Sequence, residues 1–240
     1  MFILEAGKNH LGRIDKADKL LNFFLKSDFK KLTFMCQTNK WYQAKKEHFK
    51  LPISFYQKAL KLANKKNKSI GLSVCDLKTY NDLKHLNFKF YKLLSIAINN
   101  YELIKELKKK NKTIYISTGY NASDKKIKNC LKKFRNYKKK VLLHTPMVKN
   151  YEELKLNKIT TLKKKYKIDV GYSNHFYDIN ILNTLSAYNP KVIMLYIKPT
   201  RSRRIKYPDD KHALFLDQLF KTKKNYYNCL KSQKFENEKI

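Results

Sequence analysis

The chain has 240 residues, enough for one substantial core, and its 42% apolar and 13% aromatic content excludes a disordered polymer. Its formal charge of +35 would suit a nucleic-acid binder, yet only five of the 54 basic residues are arginine (Arg13, Arg135, Arg201, Arg203 and Arg204). The lysines are spread over every segment among Asn, Ile and Tyr, and the residue best suited to bidentate phosphate and base contacts is scarce, so no specific nucleic-acid partner is expected.

The four cysteines, Cys36, Cys75, Cys130 and Cys229, show no CxxC spacing and read as free thiols of a reducing compartment. No stretch resembles a signal-peptide core or approaches the roughly 18 apolar residues of a membrane span. A cytoplasmic protein without a membrane partner is the expectation.

Short β-rich runs alternate with longer helical patterns. "FILE" (2–5) is the first strand, and "DKADKLLNFFLK" (15–26) the helix after it. "KLTFMC" (31–36) leads to "SFYQKALKLANKK" (54–66), followed by "SIGLSV" (69–74) and "FKFYKL" (88–93). "NNYELIKELKKK" (99–110) precedes "TIYIST" (113–118), and "KKIKNCLKKFRN" (125–136) precedes "KVLLHT" (140–145). "NYEELKLNKITTLKKKY" (150–166) reads as one helix, then come "IDVGYS" (168–173), "DINILNTLSAY" (178–188) and "KVIMLYI" (191–197). A final helix is read over "KHALFLDQLFKTKKNYYNCLKS" (211–232), and the chain end is expected to fray.

Eight such strands alternating with helices predict a (β/α)₈ TIM barrel with a parallel sheet, forming a single domain over residues 1–225 with a frayed tail over 226–240. An open doubly wound sheet is the alternative, but no Gly-rich phosphate loop follows the first strand and the chain holds only five glycines.

A barrel collects its chemistry at the carboxyl ends of its strands. Those ends carry Glu5, Ser73 with Asp76, Lys92 with Ser95, Ser117-Thr118-Gly119, His144, and Ser173 with His175. Each alone has an ordinary reading: a solvated lysine, a Ser-Thr-Gly turn, a hydrogen-bonded loop histidine. Their convergence on one cleft is what points to a site.

"EAGKNHLG" (5–12), "FYKLLSIAINN" (90–100), "IYISTGYNA" (114–122), "VLLHT" (141–145) and "VGYSNH" (170–175) follow the order and spacing of motifs in the N-acetylneuraminate (sialic acid) synthase family. "YPDDKHAL" (207–214) resembles that family's last barrel motif. The resemblance spans about residues 2–220. It implies a barrel that condenses phosphoenolpyruvate with an N-acylated hexosamine to a nonulosonic acid, in surface-carbohydrate biosynthesis. It further implies that Lys92, Ser95, Ser117 and Ser173 hold phosphoenolpyruvate, that Thr118 also binds substrate, that Glu5, Asn9, His10 and Asp209 lie near the sugar, and that Glu5, Lys92 and His175 are catalytic. A divalent metal, manganese or magnesium, would be held at His175 and would polarise the aldehyde.

The departures are specific. The family's second-strand lysine is replaced by Met35 or by Thr33, depending on register, so that charge is missing unless a lysine such as Lys40 reaches in from a loop. In "VIMLYIKPT" Met194 and Tyr196 stand where the family has Glu-x-His, so His175 loses its partner and weak metal binding is expected. His144, one strand away, is a conceivable replacement. The chain stops where the family continues into an antifreeze-like domain, so a homodimer or a separate antifreeze-like-domain protein is the implied macromolecular partner. The alternative to a synthase is a catalytically degenerate barrel, a pseudoenzyme serving as an anion- or sugar-binding or regulatory subunit.

Overall fold

Alternating inward and outward side chains make each apolar run a strand buried on both faces, the condition that favours parallel pairing. The computed structural model describes residues 1–44, 47–119, 122–201 and 204–233. Its strands are β1 (Phe2–Gly7), β2 (Lys31–Met35), β3 (Ser69–Val74), β4 (Phe90–Leu93), β5 (Thr113–Ser117), β6 (Lys140–His144), β7 (Val170–Ser173), β8 (Ile193–Lys198) and β9 (Leu214–Phe215). The first eight pair in sequence order, all parallel, and β8 closes onto β1 through Phe2↔Ile193 to Glu5↔Tyr196. The expected (β/α)₈ barrel is therefore present.

The helices are α1 (Ile14–Lys26), α2 (Asn39–Gln43), α3 (Ile53–Lys65), α4 (Leu77–Leu83), α5 (Tyr101–Lys109), α6 (Asp124–Lys133), α7 (Lys158–Tyr166), α8 (Ile181–Leu185) and α9 (Leu219–Ser232). Apolar residues at helical spacing bury one stripe of each. In α1 that stripe is Ala17, Leu20, Leu21 and Phe24. Several starts are fixed by side-chain caps: Asp76 accepts from the Lys78 and Thr79 amides of α4, Asn100 from Leu103 of α5, and Ser123 from Lys126 of α6. Asp76 also accepts from the Asn39 amide at 2.9 Å, so this expected strand-end carboxylate works as a cap.

Three readings change. Residues 150–166 are not one helix: Lys155 adopts φ +44°, which breaks the pattern, and α7 begins only at Lys158. Residues 211–232 open instead with β9, held by Ile197↔Leu214 and Lys198↔Phe215 pairing to β8, before α9 starts. The expected tail boundary at 226 falls inside α9, because Tyr226 is 2% exposed and packs edge-on against Phe2 at 5.2 Å. Residues 234–240 of that tail lie outside the described residues.

The barrel interior is layered. Ile3, Phe90, Tyr115, Val141, Leu143, Val192 and Met194 fill it toward the amino ends, and Lys31 reaches the Tyr115 hydroxyl at 3.0 Å. A larger apolar shell lies between strands and helices. Gly71 lets the Phe90 ring lie across β3, where an added Cβ would stand 2.3 Å from the ring.

Gly71→Val should therefore overpack the barrel, at a cost of about 1–3 kcal/mol and a fall of several degrees in Tm. Thermal denaturation followed by circular dichroism measures this. An unchanged Tm would contradict the packing of Phe90 inside the barrel.

Candidate active site

The period of two along each strand selects which side chains enter the barrel. At the carboxyl end they are Glu5 on β1, Thr33 and Met35 on β2, Ser73 on β3, Lys92 on β4, Ser117 on β5, Ser173 on β7 and Tyr196 on β8. Glu5 and Lys92 form an ion pair at 2.6 Å, with side chains 0% and 1% exposed. Ser73 donates to the other Glu5 oxygen at 3.1 Å and exchanges a hydrogen bond with Thr33, also at 3.1 Å. The Lys92 ammonium donates to Ser173 Oγ at 3.1 Å and lies 5.6 Å from the centre of the Tyr196 ring. One carboxylate, one ammonium and three hydroxyls thus form a continuous polar layer above the apolar interior.

On the β5–β6 side, Ser117 Oγ meets Thr145 Oγ1 at 2.8 Å. Ser95, in the turn after β4, comes close to Gly119, with its hydroxyl 3.1 Å from where a Cβ on that glycine would stand. Thr118 is committed elsewhere, its hydroxyl donating to the Leu143 carbonyl at 2.8 Å. A cleft of ≈ 610 Å³ opens here, lined by Thr118, Gly119, His144, Thr145, Met147 and Lys158 among others. Thr145 was not singled out by sequence reasoning, although its inward alternation with Leu143 was readable.

That alternation also corrects the reading of His144. It points away from the interior: its Nε2 is paired with the Leu154 carbonyl at 2.8 Å, and burial holds its pKa down to about 4. It cannot replace a missing ligand beside His175. His10 is likewise a packing residue of the first loop. Its Nδ1 accepts from the Gly12 amide at 2.9 Å, its ring leans on Phe34, and burial lowers its pKa to about 4.

The β1 loop and the segment after β8 are tied together by Asn9. Its Nδ2 donates to the Ile197 carbonyl at 2.9 Å, and its Oδ1 accepts from the Asp209 amide at 3.1 Å. Asp209 is thereby brought over the end of β1. Gly7, at φ +53°, makes room for it: a Cβ there would meet the Asp209 carboxylate at 2.5 Å and the Tyr196 ring at 2.7 Å. Burial pushes the Asp209 carboxyl up to about 6, and the nearby Glu5 charge adds to this against the opposing pull of Lys8.

Where the family lysine would stand, the interior is apolar. Met35 packs with Tyr196 and Ala213, and Thr33 belongs to the hydroxyl chain, so both registers considered for β2 leave that position uncharged. Lys40, on α2, is exposed.

His175 lies half-buried just past β7. Its ring meets Tyr196 at 5.0 Å and a second imidazole, His212, at 4.8 Å. His212 Nε2 is shielded from solvent and has no hydrogen-bond partner among the described residues, with Asp209 Oδ1 4.0 Å away. Burial, with each other's proximity and the Lys92 charge, holds His175 well below its usual range, and burial and lysine charges hold His212 at about 4. Both rings are neutral near pH 7, the state that ligates a metal. Two neutral imidazoles, one with an unpartnered buried nitrogen, fit a divalent ion better than His175 alone would.

The buried pair generates a first prediction. Lys92→Met leaves Glu5 charged and unpaired, and should cost about 3–5 kcal/mol in denaturant unfolding. The double variant Glu5→Gln/Lys92→Met should recover much of the loss, whereas equal destabilisation of single and double variants would contradict the pairing. A second prediction concerns pH. His10, His144, His175 and His212 all have folded pKa values below the unfolded value near 6.5, so their contribution is present above pH 6.5 and lost as pH falls toward 4. Asp209, raised to about 6, acts in the opposite sense and offsets one histidine over pH 4–6. Unfolding free energy should therefore fall from pH 6.5 to 4. A flat profile would contradict this accounting.

Both the sequence and the fold match known proteins. Residues 16–238 match the model of the NeuB family. The chain is 29% identical over 246 residues to the N,N'-diacetyllegionaminic acid synthase of Campylobacter jejuni, an alignment covering 91% of this chain and 73% of the relative. Its fold superposes on the N-acetylneuraminic acid (sialic acid) synthetase of Leptospira borgpetersenii with a TM-score of 0.87 at 22% identity, over 99% of this chain and 87% of the other. It also superposes on a spore coat polysaccharide biosynthesis protein of Bacillus subtilis with a TM-score of 0.82 at 20% identity, over 99% and 71% of the two chains. The barrel whose mouth carries the Glu5–Lys92 pair belongs to the NeuB family.

Proposed function

We propose that the protein condenses phosphoenolpyruvate with an N-acylated hexosamine, yielding a nonulosonic acid and phosphate. The observation that carries this reading is the convergence of Glu5, Lys92, Ser117, Ser173 and His175 on one barrel mouth in a chain of this family. The reaction joins C3 of phosphoenolpyruvate to the sugar aldehyde carbon. Water adds at C2, and loss of phosphate leaves the 2-keto acid.

The chain's own groups suit those demands. Hydroxyls of Ser95, Ser117, Thr145 and Ser173 can donate to phosphate and carboxylate oxygens, and Lys92 supplies the positive charge. Glu5 holds Lys92 in position before substrate arrives, and the ammonium can turn part of its hydrogen bonding toward the incoming anion. Asp209, protonated over part of the range below pH 6, can exchange hydrogen bonds with sugar hydroxyls on the β1–β8 side. Asn9 orients Asp209 by accepting from its amide at Oδ1, and ties the first loop to β8 through one of its two Nδ2 hydrogens. Thr118 and His10 act by shaping the backbone of the two loops. A divalent ion, when bound at His175, supplies Lewis-acid polarisation of the aldehyde oxygen.

A second reading is favoured by a specific feature. Lys92 is already neutralised by Glu5, and Met35 leaves the β2 side apolar, an arrangement suited to a barrel that binds an anion or sugar without turning it over.

The test is incubation with phosphoenolpyruvate, Mn²⁺ and a panel of N-acylated hexosamines, with phosphate release and the nine-carbon keto acid followed by colorimetry and mass spectrometry. Coupled formation of both products is expected. Phosphoenolpyruvate binding with no product across the panel supports the second reading. Lys92→Ala should weaken phosphoenolpyruvate binding about tenfold or more, the loss of one charge-assisted hydrogen bond, measured by calorimetry. Equal affinity in both proteins would place the anion elsewhere.

A further inference from the structure

The position opposite His175 on β8 holds Tyr196, a poor ligand for a divalent ion, yet the space beside it is not left to the phenol ring. The turn after β8 returns His212 to the same place. Its ring stands 4.8 Å from His175 and 4.8 Å from Tyr196, nearly perpendicular to the latter at 88°. Three rings from β7, β8 and the following turn therefore meet at one point of the mouth.

The turn that carries His212 is fixed from several sides. Asn9 holds the Asp209 amide, and Lys198 donates to the Asp210 carbonyl at 2.9 Å. The His212 and Ala213 amides both donate to the Asp209 carbonyl, at 3.2 and 2.9 Å. Immediately afterward Leu214 and Phe215 pair with β8. His212 is thus placed by hydrogen bonds to the first loop and to β8.

The ring separation suits joint ligation. A metal–imidazole bond of about 2.1 Å puts each ring centre about 3.2 Å from the ion, so two rings at 90–110° sit about 4.5–5.2 Å apart. The His175–His212 spacing of 4.8 Å lies within that range. The shielded, unpartnered Nε2 of His212 is the kind of polar atom that a ligand satisfies. Asp209 Oδ1, 4.0 Å from that nitrogen, is near enough to support the site through a water. Among the described residues no group of three or more His, Cys, Asp or Glu side chains is arranged to hold an ion, so the protein side of the site is a pair.

We propose that His212 replaces the absent eighth-strand imidazole, and that His175 and His212 together hold a divalent transition-metal ion at the barrel mouth. This rests on the proposed synthase reading for its purpose, but ion binding needs no substrate and is measured without it.

The experiment is titration of the full chain with Mn²⁺, followed by the loss of the free-ion electron paramagnetic resonance signal. The unmodified protein should bind one ion per chain. His175→Ala and His212→Ala should each weaken binding about tenfold or more, as should His212→Gln, which keeps a polar side chain in the turn. Tyr196→Phe and His48→Ala should leave affinity unchanged. In the His212→Ala background, Tyr196→His should restore binding by returning an imidazole to β8. Wild-type affinity in both His212 variants, or no ion bound by the folded parent protein at millimolar Mn²⁺, would overturn the proposal. Intact two-histidine binding with no sugar product would instead count against the synthase reading alone.

Discussion

The Glu5–Lys92 ion pair is the constraint around which the barrel mouth is built. Both groups are withdrawn from water, so each needs the other and each needs further hydrogen bonds. Ser73 and Ser173 supply them from β3 and β7, and Thr33 extends the chain to β2. Five strands are thereby linked by polar side chains at one level, directly above a layer of aromatic and aliphatic packing. A layer of this kind fixes strand register as well as charge, because a slip of one residue would bury the wrong partner.

The same pair shapes what the site can bind. A carboxylate beside the ammonium lowers the net attraction for an anion, and the apolar Met35–Tyr196–Ala213 contact leaves Lys92 as the cation of the inner layer. On the proposed reading, affinity for the anion then comes from the hydroxyls of Ser95, Ser117, Thr145 and Ser173 and from an ion at His175. The β1–β8 side has a different character. Asn9, Asp209 and His212 are brought there by a turn that follows the last barrel strand and is clamped back onto the first loop. On the proposed synthase reading, the anion and the sugar meet opposite sides of the mouth.

Much of the barrel was legible because its strands are short β-rich runs between helical stripes. "SIGLSV" marks β3 residue for residue. What was not legible depended on tertiary contacts or on a single backbone angle. Nothing local marks Leu214–Phe215 as β9, since two residues make a strand only by pairing with β8. The helical spacing of Tyr151, Leu154 and Lys158 conceals the left-handed Lys155 between them. At the mouth, strand-end position is enough to group Glu5, Lys92 and Ser173, which the structure joins by hydrogen bonds. His144 was misplaced because strand-end position was weighed without the inward or outward alternation. His212 reads in sequence as part of the last helix, and only the return of that segment to β7 and β8 brings its ring beside His175.

The most direct test of the account is a crystal structure of the protein with phosphoenolpyruvate and Mn²⁺. It should show the phosphate and carboxylate groups held by Lys92, Ser117 and Ser173, with the ion between His175 and His212. Phosphoenolpyruvate bound outside the barrel mouth, with the Glu5–Lys92 pair closed and untouched, would contradict it.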